Sequence, residues 1–487
     1  MLRLPTRQEL LAGIGGIATV SAATYTYFRL RFELVKRRDT LFTLPHIDGA
    51  FPFGNAIAMG KDGQIAFQRT LREIMIEEQP ELGLASLTIL TMPQLVTFRA
   101  AHAHKILRES TFRSGMELFN IPLKAFLGPQ AIVQLMNQPW KRVRTVMVKA
   151  FKNSDMASMS LTMGENAWRF ARKLAELKSV DFMDAVKGCT LDIIGQTAFG
   201  YDFSGIDSLG SESKCAVWSA FRFLLDDCTD RQFRPTLSKY LYFVPTEQNR
   251  KHREAVRILR ETLDSIIAAR TSQSSSESTD LLGSMIMAEK EDGGAFSGLS
   301  KDALADNLLT FMFGGFDTTS IALTYALYLL AENPDQWARL RREVDGVLTP
   351  DCKVSSDDVK RLSFCTKVIK ETLRLYPPAP DTARTTTSSL QLDGFTVKEG
   401  TQVLIPIWWV HRDPSVWTNP EHFDPDRFDT EPVPGAWIPF SDGLRNCVGY
   451  RFAMTEATIV LAVIVSSLTW RIQEGYAMKA KNAGVVQ

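Results

Sequence analysis

A mainly α-helical fold with small β-sheet regions, arranged as one large domain behind an N-terminal membrane anchor, follows from three features of the chain. From residue 56 to about 380 apolar residues recur at helical spacing, with strong helix formers and few internal prolines. Strand-like patterning is confined to two short stretches, near Ala85–Thr97 and Leu390–Pro406. Leu10 to Phe28 is 19 residues without a charge, enough to cross about 30 Å of hydrocarbon as a helix.

The N-terminal stretch is only modestly hydrophobic, because Gly13, Gly15, Gly16, Thr19, Ser21, Thr24 and Thr26 dilute it. Arg29, Arg31, Lys36, Arg37 and Arg38 follow it, while only Arg3 and Arg7 precede it. That asymmetry places the large domain on the cytosolic side. A signal-peptidase site at Ser21-Ala22-Ala23 and an organelle import sequence are the competing readings. The expected division is an anchor with its basic flank over 1–38 and the large domain over 39–487.

A Pro/Gly entry with Pro45, Gly49, Pro52 and Gly54 leads into the helical body. Ala255–Ala269 and Ala303–Leu330 show its periodicity most clearly, and a polar loop over Thr271–Ser278 separates helical stretches. Leu390–Phe395 and Gln402–Pro406 read as strands joined at Lys398-Glu399-Gly400. The chain of 487 residues is 45% hydrophobic and 10% aromatic, which describes one core-rich body. A net charge of +1 gives no argument for nucleic acid as a partner. The six cysteines are scattered without a C-x-x-C pair, which suits a reducing compartment and offers no zinc site.

Chemistry concentrates in Phe440-Ser441-Asp442-Gly443-Leu444-Arg445-Asn446-Cys447-Val448-Gly449, just ahead of a helical run. A thiolate is favoured by the backbone donors and positive end of a helix N-terminus. Gly443 and Gly449 lack the β-carbons that would hold a flat cofactor away from the loop. Taken alone, the string also fits a buried cysteine in a glycine-containing turn. Inside the long apolar helix, Gly314-Gly315-Phe316-Asp317-Thr318-Thr319 puts Gly314 and Thr318 on one face. The missing side chains open a groove beside a hydroxyl that can bond the carbonyl four residues back. A packing Gly-Gly pair with an ordinary helix threonine is the alternative.

The cysteine string resembles the heme-binding signature F-x-x-G-x-R-x-C-x-G of the cytochrome P450 family. That resemblance implies the cytochrome P450 fold, heme as cofactor, and Cys447 as the axial thiolate ligand of its iron. Phe440, Arg445 and Gly449 are the other cofactor-binding positions of the string. Four further motifs occur in the family's order. Gly314–Thr319 resembles the oxygen-activation motif, with Gly314 where alanine is more common; by resemblance Thr318 orients protons and Asp317 relays them. Glu371 and Arg374 resemble the buried E-x-x-R, with Arg427 in Pro425-Asp426-Arg427-Phe428 as third member. Trp140 and Arg144 stand where the family holds a heme propionate, and Arg384 where it places another propionate-binding arginine.

The implied activity is a heme-thiolate monooxygenase that inserts one oxygen atom from dioxygen into a lipophilic substrate. No flavin or nicotinamide segment follows the heme-binding string, so electrons are expected from a separate membrane-bound NADPH-dependent diflavin reductase, with a b-type cytochrome as a second candidate donor. Basic residues such as Lys141 and Arg142, which by the resemblance face the thiolate side of the heme, are candidate docking charges. The expected location is the endoplasmic reticulum membrane, single-pass, with the catalytic domain cytosolic. A heme-thiolate isomerase or dehydratase acting on lipid hydroperoxides is the alternative, and a non-catalytic heme carrier is a third reading. The acid–threonine pair favours the monooxygenase over both. Phe112–Phe119, Phe221–Arg234, Phe311–Phe316 and Ala379–Thr385 are expected to shape the substrate pocket. The chain departs from the family after Cys447, where the usual substrate-contacting hairpin looks cut short.

Overall fold

A computed structural model describes residues 39–47, 64–89, 92–110, 117–153, 156–177, 179–211, 215–233, 241–272, 280–291 and 300–475, with a few isolated positions before residue 34. The expected anchor, the polar loop beyond Ser272 and the C-terminal residues after Gly475 lie outside the described residues, as does Phe112–Met116 of the expected pocket.

The described residues form a mainly helical domain with two small sheets. The helices are α1 (Gln64–Glu78), α2 (Ala100–Glu109), α3 (Glu117–Leu127), α4 (Asn137–Asn153), α5 (Met156–Ala175), α6 (Phe182–Ile194), α7 (Ala216–Phe233), α8 (Glu247–Ser272), α9 (Leu281–Glu291), α10 (Lys301–Met312) and α11 (Thr318–Glu332). They continue as α12 (Pro334–Asp345), α13 (Ser356–Arg361), α14 (Ser363–Leu375), α15 (Ile407–Val410) and α16 (Tyr450–Ser467). The strands are β1 (Leu84–Ile89), β2 (Met92–Thr97), β3 (Thr382–Thr385), β4 (Leu390–Leu392), β5 (Phe395–Val397) and β6 (Gln402–Ile405).

The larger sheet runs β1-β2-β6-β3, with β2 and β6 parallel and the other pairs antiparallel. Here the structure corrects one expectation. Leu390–Leu392 does not pair with Gln402–Ile405 across Lys398–Gly400; it forms a tight hairpin with β5, while β6 joins the other sheet. The reason is local: Asp393 and Gly394 both adopt positive φ (46° and 88°), the backbone that a two-residue hairpin turn requires.

α16 is the core of the helical body. From Ala457 to Val465 every residue is buried, and the helix packs on α5, α11, α12 and α14. Among the described residues it alone is long and apolar enough to cross a membrane, but 67% of it is buried inside the domain. It is a core helix and carries no evidence about the anchor.

The long helix expected over Ala303–Leu330 is α10 and α11 joined by a π-helical turn at Phe313–Asp317. One extra residue in that turn frees carbonyls from the helical ladder. The Thr190 hydroxyl on α6 donates to the Phe316 carbonyl (2.9 Å), and Thr318 donates to the Gly314 carbonyl (2.6 Å). The interruption falls on the Gly-Gly-Phe-Asp string itself.

Candidate heme site

Cys447 lies in an extended loop three residues ahead of α16. Its amide donates to the Phe440 carbonyl (2.8 Å), closing the loop on itself. Around it the loop is tied down at four points. Arg144 of α4 donates to the Asn446 carbonyl (2.7 Å) and to the Asn446 side chain. Burial lowers the pKa of Arg144, and the charge of Cys447 acts in the opposite direction. Arg445 is buried, lies 3.9 Å over the Trp140 ring and donates to the Leu135 carbonyl (3.0 Å). Arg384, fully buried on β3, donates to Ser441 Oγ (3.0 Å).

The fourth tie explains Gly443 differently from the sequence reading. Gly443 has φ +69°, and a Cβ there would lie 2.3 Å from the Leu107 carbonyl oxygen. Its missing side chain therefore admits the backbone of α2, not a cofactor. Asp442 fixes the same contact by accepting from the Gly443 amide and pairing with His104 of α2 (2.8 Å). Gly449 is the glycine at the sulfur, since its would-be Cβ meets Cys447 Sγ at 4.0 Å and Phe151 at 3.8 Å.

Phe151 connects the two halves of the site. Its ring also packs edge-on against Phe311 of α10, with centroids 5.6 Å apart. Two residues beyond Met312, Gly314 is exposed and a Cβ there would meet nothing within 4 Å. Cys447 is likewise exposed. An exposed thiol, bare backbone at Gly314, and buried guanidiniums at Arg384 and Arg445 suit a flat dianion bearing a metal. Buried carboxylates need such partners, and a thiolate within electrostatic reach of Arg144 is stabilised as a ligand.

The family model of cytochrome P450 matches residues 52–487. This chain belongs to the cytochrome P450 family. As a member it is a heme-dependent oxidoreductase of monooxygenase type, whose family binds heme through a cysteine thiolate. Cytochrome P450 4V2 of Homo sapiens is 28% identical over 490 residues, covering 95% of this chain and 91% of the relative. Cytochrome P450 4F12 of Homo sapiens is 32% identical and covers 70% of this chain and 68% of its own length. Leukotriene-B4 omega-hydroxylase 3 of Mus musculus is also 32% identical, over 71% and 69% of the two chains.

In this P450 the E-x-x-R pair is wholly buried. Arg374 donates to both Glu371 oxygens (2.7 Å each), Glu371 also accepts from the Asp424 amide (2.9 Å), and it forms an ion pair with Arg427, whose Nε lies 3.3 Å away. Arg374 reaches on to the carbonyls of His411, Pro420 and His422. The segment that leads to the cysteine loop thus hangs on one guanidinium. His411 extends the network: it sits next to the Arg374 carbonyl through Nδ1 (3.1 Å), and Nε2 accepts the Ile438 amide (2.8 Å). Burial pushes its pKa down to about 3, so it stays neutral. Nothing in the sequence marked His411, because a lone histidine after Trp-Trp-Val carries no motif.

On the other side, Asp317 is buried and pairs with Lys187 of α6 at 3.0 Å. Thr318 is half-buried on the groove. Lys187 was missed by sequence reasoning, since a lysine one turn into a helix gives no signal before the fold places it. Lys141 and Arg142 are exposed. Phe221, Phe313 and Phe126 stack edge-on beside Phe316 and build an aromatic wall from α3, α7 and the π-turn.

Proposed function

We propose that this P450 hydroxylates a long lipophilic substrate at a membrane surface, with Cys447 as the thiolate ligand of its heme. The observation that carries the reading is the Cys447 loop: an accessible thiol, a closed loop and an arginine clamping the residue just before the cysteine. Arg384 and Arg445, with Trp140 and Arg144, would hold the propionates of a bound heme, and Phe440 and Gly449 would shape its bed. Bound heme supplies the iron at which dioxygen is activated.

The protein's own residues supply position and protons. Thr318 gives its hydroxyl hydrogen to the Gly314 carbonyl, which leaves its oxygen lone pairs turned to the groove as a proton acceptor and relay. Asp317, one residue earlier, takes protons from the α6 side and passes them inward. The edge-packed phenylalanines exclude water and favour an apolar chain over a polar one.

Electrons come from a separate NADPH-dependent diflavin reductase, with a b-type cytochrome as an alternative donor. Exposed Lys141 and Arg142 on α4, the helix that also clamps Asn446, are its docking charges. The uncharged Leu10–Phe28 stretch and its basic flank anchor the domain on the cytosolic face of the endoplasmic reticulum, dividing the chain at residue 38. For substrate, the name of the mouse omega-hydroxylase suggests a long-chain carboxylic acid attacked at its far end.

The test is a turnover assay with purified heme-loaded protein, diflavin reductase, NADPH and leukotriene B4 or saturated C12–C20 fatty acids. Terminal hydroxylation that requires both NADPH and reductase is expected. Conversion of a lipid hydroperoxide without reductase, and no hydroxylation with it, would replace this reading by the isomerase.

A further inference from the structure

Between α3 and α4 the chain runs as a short irregular segment, Gly128–Met136, whose two ends are held by different parts of the molecule. Buried backbone outside helices and strands must find its hydrogen bonds elsewhere. At the near end two buried side chains of α10 supply them. Asn307 Oδ1 accepts the Ile132 amide (2.8 Å), and its Nδ2 donates to the Gln130 carbonyl (3.0 Å) and to the Ala303 carbonyl one turn back (2.7 Å). A carboxamide offers donor and acceptor side by side, so it meets the segment as a neighbouring strand would. Asp306 accepts the Gln130 amide (2.8 Å) and pairs with Arg260 of α8 at 2.5 Å. Gly128 passes directly over that carboxylate: its φ is +96°, and a Cβ there would collide with it.

The far end of the segment holds Arg445. The Leu135 carbonyl and Met136 Sδ take the two terminal nitrogens of that guanidinium (3.0 and 3.4 Å). The Trp140 ring, just inside α4, lies 3.9 Å from its central carbon. Leu135 comes only three residues after Ile132. In between, the Gln134 and Leu135 amides both donate to the Ala131 carbonyl (2.8 and 3.2 Å), which makes the stretch a stiff turn. A shift at Asn307 is therefore carried to the carbonyl that aims Arg445.

We propose that Asn307, with Asp306, is a positioning residue for the cofactor: through Gly128–Met136 it sets the direction of Arg445, and so the grip on a heme propionate. The helix that carries Phe311 and leads into the π-turn thereby fixes a cofactor-binding group on the cysteine side. The proposal rests on the propionate role given to Arg445 above, and the two are tested separately.

Heme-loaded protein is mixed with excess apomyoglobin, and heme transfer is followed by absorbance. Asn307→Ala is expected to speed transfer ~10-fold, as loss of an outer-shell partner commonly does. Asp306→Asn, which keeps an acceptor for the Gln130 amide, should speed it less, and it carries the test if Asn307→Ala yields no folded protein. The control is Asn166→Ala in α5, where a buried side chain bonds the Thr162 carbonyl (2.9 Å) and Gln196 (2.8 Å). Its transfer rate should match the parent; an equal acceleration there would reduce the effect to general loosening and overturn the proposal. The second readout is the resonance Raman bending band of the propionates, which reports their hydrogen bonding. It should move in Asn307→Ala and in Arg445→Lys and stay in place in Asn166→Ala. In the Arg445→Lys protein, Asn307→Ala should add little to either readout; full additivity would show that Asn307 does not act through Arg445. If Arg445→Lys moves both readouts and Asn307→Ala neither, the propionate role stands and the link is wrong. If Arg445→Lys moves neither, the propionate role falls and the proposal with it.

Discussion

On the cysteine side, Glu371, Arg374, His411 and Arg384 are buried, and the Arg374 guanidinium is spent on carboxylate and carbonyl partners. On the α10–α11 side the helix is opened into a π-turn, Gly314 is bare, and the acid is held by one lysine from another helix. The first is a rigid mount, in which removing any one charge strands another. The second is an adjustable wall, in which single contacts can exchange. A ligand loop must keep its sulfur in place through a catalytic cycle, whereas the opposite face must admit substrate, dioxygen and protons. The two kinds of bonding match those two demands.

The contrast is broken most severely at Glu371. Glu371→Gln leaves Arg374 and Arg427 without their carboxylate in the core, so a loss of about 3–5 kcal/mol is expected. The measurement is yield of folded, heme-loaded protein and its thermal midpoint. A variant that folds and loads heme like the parent would show the mount to be dispensable. On the opposite face Thr318→Ala should leave folding and heme loading intact but divert electrons to peroxide. The fraction of NADPH recovered as hydroxylated product should fall several-fold, within the ~10²–10⁴ range of a lost proton-transfer group.

His411 gives the mount a pH signature. Its pKa is about 3 in the fold and about 6.5 in an unfolded chain, so between those values the unfolded state binds the extra proton. Stability from this group is therefore complete above pH 6.5 and is lost as pH falls toward 3, at up to about 1.4 kcal/mol per pH unit. Asp192 runs the other way. Burial raises its pKa to about 6, so its contribution weakens as pH rises from the unfolded value near 3.9 through 6. Urea midpoints from pH 4 to 7 should show a shallower acid loss in His411→Gln than in the parent; equal slopes would exclude His411 as the cause.

The smallest effects sharpen the adjustable wall. A Cβ at Gly315 would meet Ile194 Cδ1 at 3.0 Å, whereas one at Gly314 meets nothing within 4 Å. Gly315→Ala should cost about 1 kcal/mol through overpacking, and Gly314→Ala should be near neutral for stability while weakening the spectral binding of bulky fatty acids. Reversal of the two in thermal unfolding would contradict the geometry at the turn.

Much of this was legible in the chain because the cysteine site is written contiguously. Phe440 to Gly449 carries its candidate ligand, its arginine and its glycines within ten residues, and Glu371–Arg374 sits one helical turn apart. The Gly-Gly-Phe-Asp-Thr string likewise exposed its groove and its threonine back-bond. The π-turn was hidden, since helical periodicity continues unchanged on both sides of it. Lys187 and His411 were hidden for another reason: their partners lie 130 and 37 residues away in sequence. Gly443 was misread because a positive φ and a close backbone look the same in sequence as space for a ligand.

The measurement closest to the central claim is the absorption spectrum of the reduced, heme-loaded protein under carbon monoxide. The account predicts a Soret band displaced to long wavelength, as thiolate ligation of heme gives, and its loss in Cys447→Ser. A folded, heme-loaded parent without that band, or a Cys447→Ser variant that keeps it, would contradict the assignment of Cys447 as the iron ligand.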